Sequence, residues 1–369
     1  VDMKDTSSPF NTPEAYFTPY GITNPYWALE NNYNHTASKQ IYGKVQLDVN
    51  PIKELKLSYR MGFDYTDYDR KVGSPQINLD DALIDEDYGY APSNMNQSGY
   101  VYASYGRYYE LNHDFLANYA KRFLDNKLDV NVNVGVNMNE RGNTRMTGQT
   151  DDLSFYTGFW DLSNGSTKTT LEESQQKRRL VGLFGDVTFG WDDMIYLNLT
   201  ARNDWSSTLP IDNNSFFYPG ATLSWIFTRL IPENEILTFG KARLAYGKTG
   251  NDASPYRTGL TYVQGTAHGY YGSDVSKFPM NGVNAFMASN TKGSNTLRPE
   301  MTSEFEVGMN LQFFNGRFGI DAAYYDRKTK DQIFTLPTDP STGFSYMVTN
   351  FGEVSNKGVE LVINTIPVQ

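Results

Sequence analysis

Few side chains in this sequence have the type and spacing to run a reaction. The three histidines, His35, His113 and His268, stand far apart, and none has a partner at ligand spacing. Neither a metal centre nor a histidine-based triad is indicated. No cysteine occurs in 369 residues, which removes thiol nucleophiles, zinc–thiolate sites and disulfides together. Gly247-Lys248-Thr249 mimics the end of a phosphate-binding loop, but Ala242 stands where the first glycine belongs, so the match fails. Asp80, Asp81, Asp85, Glu86 and Asp87 offer the hard oxygen ligands that calcium takes. Their spacing is not that of a calcium loop, and a solvated acidic loop is the simpler reading. No catalytic residue, metal or cofactor is assigned, and the expectation is a protein that is not an enzyme.

What the chain has in quantity is rings: 27 tyrosines, 22 phenylalanines and 5 tryptophans. Tyrosine suits strands, and its amphipathic ring suits a boundary between water and an apolar phase. A formal charge of −10 argues against a nucleic-acid binder, which needs a basic footprint. A mean hydropathy of −0.54, with no apolar run near 18 residues, excludes a bundle of membrane helices. A β-barrel is untouched by that test, because it hides its apolar face in every second residue. The chain opens on Val1-Asp2 without a charged-then-apolar leader, so a signal peptide is expected to be cleaved or to lie outside this segment.

Period two is the dominant pattern. Over 55–66, Leu55, Leu57, Tyr59, Met61, Phe63 and Tyr65 alternate with Lys56, Ser58, Arg60, Gly62, Asp64 and Thr66. A helix cannot use such an alternation. Leu128 to Asn139 repeats it, with Val130, Val132 and Val134 set against Asn131, Asn133 and Asn137. Weaker copies run through Leu197 and Leu199 against Asn198, through Phe305 to Leu311, and through Phe318 to Tyr324. About eleven such strands are expected, many around ten residues long, the length that crosses a bilayer. Tight turns at 50–54, 125–127, 190–193 and 315–316, with a slightly longer one at 229–236, alternate with long stretches at 69–110, 141–179, 203–216, 250–302 and 328–356. Short turns at one end and long loops at the other mark an outer-membrane barrel. A secreted sandwich shares the alternation but has no reason to gather its long loops at one end. The fold expected is all-β, an antiparallel transmembrane β-barrel. Leu57, Tyr59, Met61, Phe63, Val130, Val132, Val134, Leu197 and Leu199 should face lipid, and Arg60, Asp64, Asn131, Asn133 and Asn198 the interior. Tyr65, Tyr68, Trp191, Trp205, Trp225 and Tyr324 could form interfacial girdles.

Several segments, in this order and spacing, resemble one family. They are Asn24-Pro-Tyr-Trp27, Tyr196 to Ser207 leading to Phe217-Tyr-Pro219 and Ser224-Trp225, Ala242 to Asn251, and Leu297-Arg-Pro-Glu300 with Thr302, Glu304 and Gly308. Ala323 to Asp331 and Asn350 to Glu360 complete the set. Together they look like the SusC/RagA family of TonB-linked outer-membrane transporters. Trp205 stands between Asp204 and Ser206 where that family usually has glycine, a change expected to be local. The resemblance implies a barrel of about 22 strands closed by an N-terminal plug. It implies a SusD-like surface lipoprotein as lid, TonB-complex energy through a segment absent here, and the outer membrane of a Gram-negative bacterium of the Bacteroidetes. Residues 1–369 would be part of that one barrel domain, with plug and terminal strands outside the chain. About eleven strands cannot close such a barrel.

The resemblance further implies import of a polar oligomer, glycan in preference to peptide, held by ring faces and hydrogen bonds. Tyr156, Phe159, Trp160, Tyr262, Tyr270 and Tyr271 are the expected substrate-binding rings, because a ring offers a flat apolar face at little entropic cost. Asp151, Asp152 and Asn164 beside them could supply polar contacts. The plainer alternative is that these rings pack the loops against each other. A passive porin and a soluble carbohydrate-binding or adhesin β protein are the competing classes.

Overall fold

The computed structural model describes residues 7, 12–13, 23–78, 96–155, 158–232, 234–268 and 275–366. A short helix, α1 (Pro25–Asn31), is capped by Asn24, whose side chain accepts from the Tyr26 amide. The strands are β1 (Tyr33–Ile52), β2 (Leu55–Ser74), β3 (Tyr100–Phe123), β4 (Leu128–Asp151), β5 (Thr170–Trp191), β6 (Ile195–Ser206), β7 (Ser215–Trp225), β8 (Leu237–Asn251) and β9 (Tyr262–Gln264). They continue as β10 (Thr266–His268), β11 (Val275–Lys277), β12 (Phe286–Ala288), β13 (Thr291–Lys292), β14 (Glu300–Phe313), β15 (Phe318–Lys330), β16 (Ile333–Pro337), β17 (Tyr346–Asn350) and β18 (Glu353–Thr365). Eleven of them form one sheet in the order β1-β2-β3-β4-β5-β6-β7-β8-β14-β15-β18. From β5 onward every neighbouring pair in it is antiparallel. The all-β expectation and the number of strands both hold.

Strand length departs from the expectation. β6, β7, β8, β14, β15 and β18 have 11–15 residues, but β1 to β5 have 20–24. The ends of the stretches 69–110 and 141–179, read as loops, are therefore strand, and the connections shrink to 75–99 and 152–169. About ten residues suffice to cross a bilayer, so each long strand extends well beyond the length that the membrane requires. Tyr100 to Glu110 buries Val101 and Ala103 but lacks the sustained hydrophobic alternation by which strands are recognised. The short turns are tight because Asp125, Asn126, Asp192, Asp193, Asn315 and Gly316 take positive φ. Short polar side chains and glycine tolerate that conformation best.

The chain divides into two compact units, one of residues 1–43, 63–110 and 141–177, the other of residues 44–62, 111–140 and 178–369. In the second unit the faces separate cleanly. Paired registers place Phe189, Leu197, Leu223, Leu244, Val307, Tyr324 and Val359 in one row across seven strands. Leu47, Val49, Leu57, Tyr59, Phe115 and Val134 extend the apolar face over the earlier strands. Trp191, Trp225 and Phe227 mark its turn-side border, with the last two rings in edge contact. Beyond Tyr324 the same face of β15 becomes charged, and Asp326 pairs with Lys357 at 2.9 Å and Glu353 with Lys330 at 3.3 Å. An apolar band that ends in rings on one side and ion pairs on the other is the exterior of a membrane strand array. One expected girdle ring is not in it: Tyr68 lies across Gly106 in the first unit, on the polar face.

Candidate functional site

The opposite face of the second unit is polar, and several of its charges pair within the wall, although the buried Arg60 Nε has no hydrogen-bond partner among the described residues. Arg243 is held by Glu306 and Asp321, both at 2.9 Å, and Asp321 also accepts from Asn310. Arg327 pairs with Glu304. Arg202 reaches Asp204 at 2.8 Å while lying over the Phe184 ring at 5.5 Å. Amides form a ladder: Asn118 donates to Asn131 and Asn133, Asn133 to Asp186, and Asn137 to Asn112 and Asp114. Asn198 bonds Thr188 across the strand pair. Arg60, Asn131, Asn133 and Asn198 thus share the polar face, as the alternation predicts. Where β6 to β8 carry only Thr200, Gly220, Thr222, Ala245 and Gly247, the missing side-chain bulk leaves a recess of about 570 Å³ bordered by Glu304 and Arg327.

A second set of contacts ties the loops of this unit to its strands. Asp252 accepts two bonds from Arg178 at 2.8 and 2.7 Å, one from Thr208 at 2.9 Å and one from Ser206. Burial pushes the Asp252 carboxyl up, but the Arg178 guanidinium and the two hydroxyls outweigh it and leave the group below the usual carboxylate value. Glu300 accepts from the Asn251 amide and the Ile333 backbone. Asn350 accepts from the Arg298 backbone N–H and donates to the Arg298 and Asp331 carbonyls. Under these bonds Leu209, Phe216, Ala253, Leu297 and Val348 form a small buried core. Sequence reading did not find this knot, although most of its polar members lie in the segments that carry the family resemblance. Trp205, which stands where the family usually has glycine, sits on the apolar face opposite Val181.

The first unit holds most of the expected substrate-binding residues that are described. Asn164 is fully buried, and its amide is spent on the loop: it accepts from the Phe155 N–H and donates to the Phe155 and Phe159 carbonyls. Asp161 caps the turn Leu162–Asn164 by accepting from the Ser163 amide and hydroxyl, which draws its carboxyl below the ordinary value. Trp160 covers Gly73 and stacks on Tyr33 with centroids 6.1 Å apart. By alternation Gly73 shares the face of Phe63 and Asp67, not that of Asp64 and Tyr68. Phe159 is 48% exposed and meets Phe155, 64% exposed, edge-on at 6.0 Å. Asp151, at the end of β4, accepts from Gln149, and Asp152 follows at positive φ; both are exposed. Tyr262, on β9 of the other unit, is 67% exposed. Tyr156, Tyr270 and Tyr271 lie outside the described residues, as does the acidic run from Asp80 to Asp87. The structure therefore groups Asp151, Asp152, Phe159, Trp160 and Asn164 around one loop, and of the two expected rings there it leaves Phe159 exposed.

On the polar face of the first unit, sequence reading placed only Asp64. There Arg141 faces Glu110, which accepts from Tyr108, Gln40 donates to Asp64, and Arg145 donates to Tyr102 and Ser104. Apart from Asp64, these residues lie outside the alternating stretches of the sequence, and no hydrophobic alternation flags them.

Residues 2–365 match the family described as TonB dependent receptor-like, beta-barrel. Among curated proteins the chain is similar to TonB-dependent receptor P26 of Formosa agariphila, 32% identical over 58% of this chain and 21% of that protein. It is also similar to TonB-dependent receptor SusC of Bacteroides thetaiotaomicron, 24% identical over 99% of this chain and 34% of that one. Its fold is that of the RagAB peptide transporter, with a TM-score of 0.78 at 21% identity over 95% of this chain and 37% of the other. The chain thus spans about a third or less of the length of these relatives. With an apolar belt, a polar opposite face and a match over nearly its whole length, the chain belongs to the TonB-dependent receptor-like β-barrel family, SusC/RagA-like in kind, a family of outer-membrane receptors and transporters rather than enzymes.

Proposed function

We propose that residues 1–369 are part of the single barrel domain of a longer transporter, which imports polar oligomeric nutrients across the outer membrane with energy from a TonB complex. The observation that carries this reading is the polar face of the second unit. Three of its arginines, Arg202, Arg243 and Arg327, are each neutralised by a carboxylate of the same wall, and an amide ladder runs beside them. Such a surface tolerates water and a polar solute without holding either too tightly. A SusD-like lipoprotein is the proposed lid, supported by the likeness to SusC and by the RagAB fold. A glycan is preferred to a peptide as cargo only on its frequency in the SusC/RagA family, the RagAB neighbour being a peptide transporter. Phe159 and Tyr262 are the proposed stacking rings, Asp151 and Asp152 the polar contacts, and Trp160 and Asn164 the residues that shape the loop presenting Phe159.

The test is growth and uptake in the native host. Deleting the gene should abolish growth on one polysaccharide while glucose growth persists, and a protonophore should stop uptake by the wild type. Uptake that continues under the protonophore would make the protein a passive channel, and loss of growth on peptides alone would reverse the preferred cargo.

A further inference from the structure

Arg145 stands apart from the arginines just described. Its Nε donates to the Ser104 hydroxyl at 3.0 Å and its Nη2 to the Tyr102 hydroxyl at 2.8 Å. No carboxylate pairs with it among the described residues. Arg141, on the same face of β4 four residues earlier, has Glu110.

Hydroxyl acceptors fix the plane of a guanidinium without cancelling its charge, and Ser104 is itself buried at 1% exposure. The side chain is therefore aimed and charged, and it is exposed, so its remaining N–H groups are open to solvent. A guanidinium fork held in this way matches an oxyanion bidentately. In a chain of net charge −10, general attraction for anions is absent, and a local unneutralised cation is what could select one. The Tyr102 ring, bonded to the fork, would place a flat apolar face beside the anion.

We propose that Arg145, positioned by Tyr102 and Ser104, binds an oxyanion of the cargo, a carboxylate or a sulfate ester. The transported oligomer is then an acidic one. This rests on the import reading above, but its test contains no transport step.

The full-length protein in detergent is treated with the arginine reagent phenylglyoxal, and modification of each arginine is followed by peptide mass spectrometry. Sodium acetate and sodium sulfate are the probes, with sodium chloride at equal ionic strength as control. Arg145 modification should slow several-fold with acetate, sulfate or both, while that of exposed Arg70 does not respond. Protection by acetate alone assigns a carboxylate, and protection by sulfate alone a sulfate ester. The double variant Tyr102→Phe, Ser104→Ala should lose the protection and leave the other arginines unchanged. Equal rates in all three salts, or full protection persisting in the double variant, would overturn the assignment whether or not the protein imports anything.

Discussion

Replacing Asp252 with asparagine should release the 252–299 loop while leaving the sheet intact. The Asp252 side chain is 6% exposed and that of Arg178 20%, so the pair is largely desolvated and the Ser206 and Thr208 hydroxyls complete its shell. Removing one partner of a buried pair costs about 3–5 kcal/mol, mostly the penalty of a stranded charge. Asparagine keeps the volume and some hydrogen bonding, which places this substitution near the low end, about 3 kcal/mol. At about 1.4 kcal/mol per decade, the open population of the loop rises roughly a hundredfold. Hydrogen exchange on the full-length protein reads this directly, as faster exchange confined to 252–299. The pH dependence has a definite sign. Because the folded carboxyl titrates below its ordinary value, its contribution is complete above that value and is lost only as pH falls through the lowered one. Protection of the loop should accordingly be flat from neutral to mildly acidic pH, once intrinsic rates are removed. Unchanged exchange in 252–299, or a loss spread evenly over β5 to β8, would refute the assignment of Asp252 as the staple.

Leu244→Arg places a charge in the middle of the apolar row and should cost about 2–4 kcal/mol of folded-barrel stability. Asn198→Lys on the polar face should be tolerated; heat-modifiable electrophoretic mobility separates the two. Asn164→Ala strands the Phe155 amide and two carbonyls, a loss of about 1–3 kcal/mol. It should appear as faster proteolysis within 152–169 with no change in that of β14 and β15.

The membrane half of this protein was legible because burial in lipid writes itself into alternate residues. Leu57, Val134, Leu197 and Leu199 fall on the apolar face and Arg60, Asn133 and Asn198 on the polar one, and a register slip of one residue would invert both sets. The parts of β2 to β5 outside the apolar band were not legible, because their sequences carry no sustained hydrophobic period. Tyr102, Ser104 and Arg145 went unnoticed for that reason: in sequence they are three polar residues in what reads as loop. The rings nominated as ligand contacts were chosen by type alone, and type cannot distinguish Phe159, left exposed, from Trp160, laid over Gly73 and Tyr33. Nor can it tell an asparagine that meets cargo from Asn164, whose donors and acceptor are consumed by Phe155 and Phe159.

The segments that made the family recognisable acquire a physical meaning from the knot they form. Arg202, Asp204 and Ser206, then Asn251, then Leu297 to Glu300, then Asn350 are tied at the bases of the loops by hydrogen bonds that are partly buried at Asp204, Ser206 and Glu300 and exposed at Asn251 and Arg298. An apolar belt asks only for hydrophobic residues of suitable size, so many sequences serve and none is diagnostic. A buried carboxylate or amide with several partners asks for that side chain and no other, since each unmet bond costs the full desolvation of a polar group. Sequence identity is therefore demanded most strongly where polar groups are buried. Here that place is the anchorage of the loops, not their exposed tips. The loops beyond the knot are freed from any structural requirement of their own, and differences in cargo among barrels of this kind can be written there without disturbing the wall that carries them.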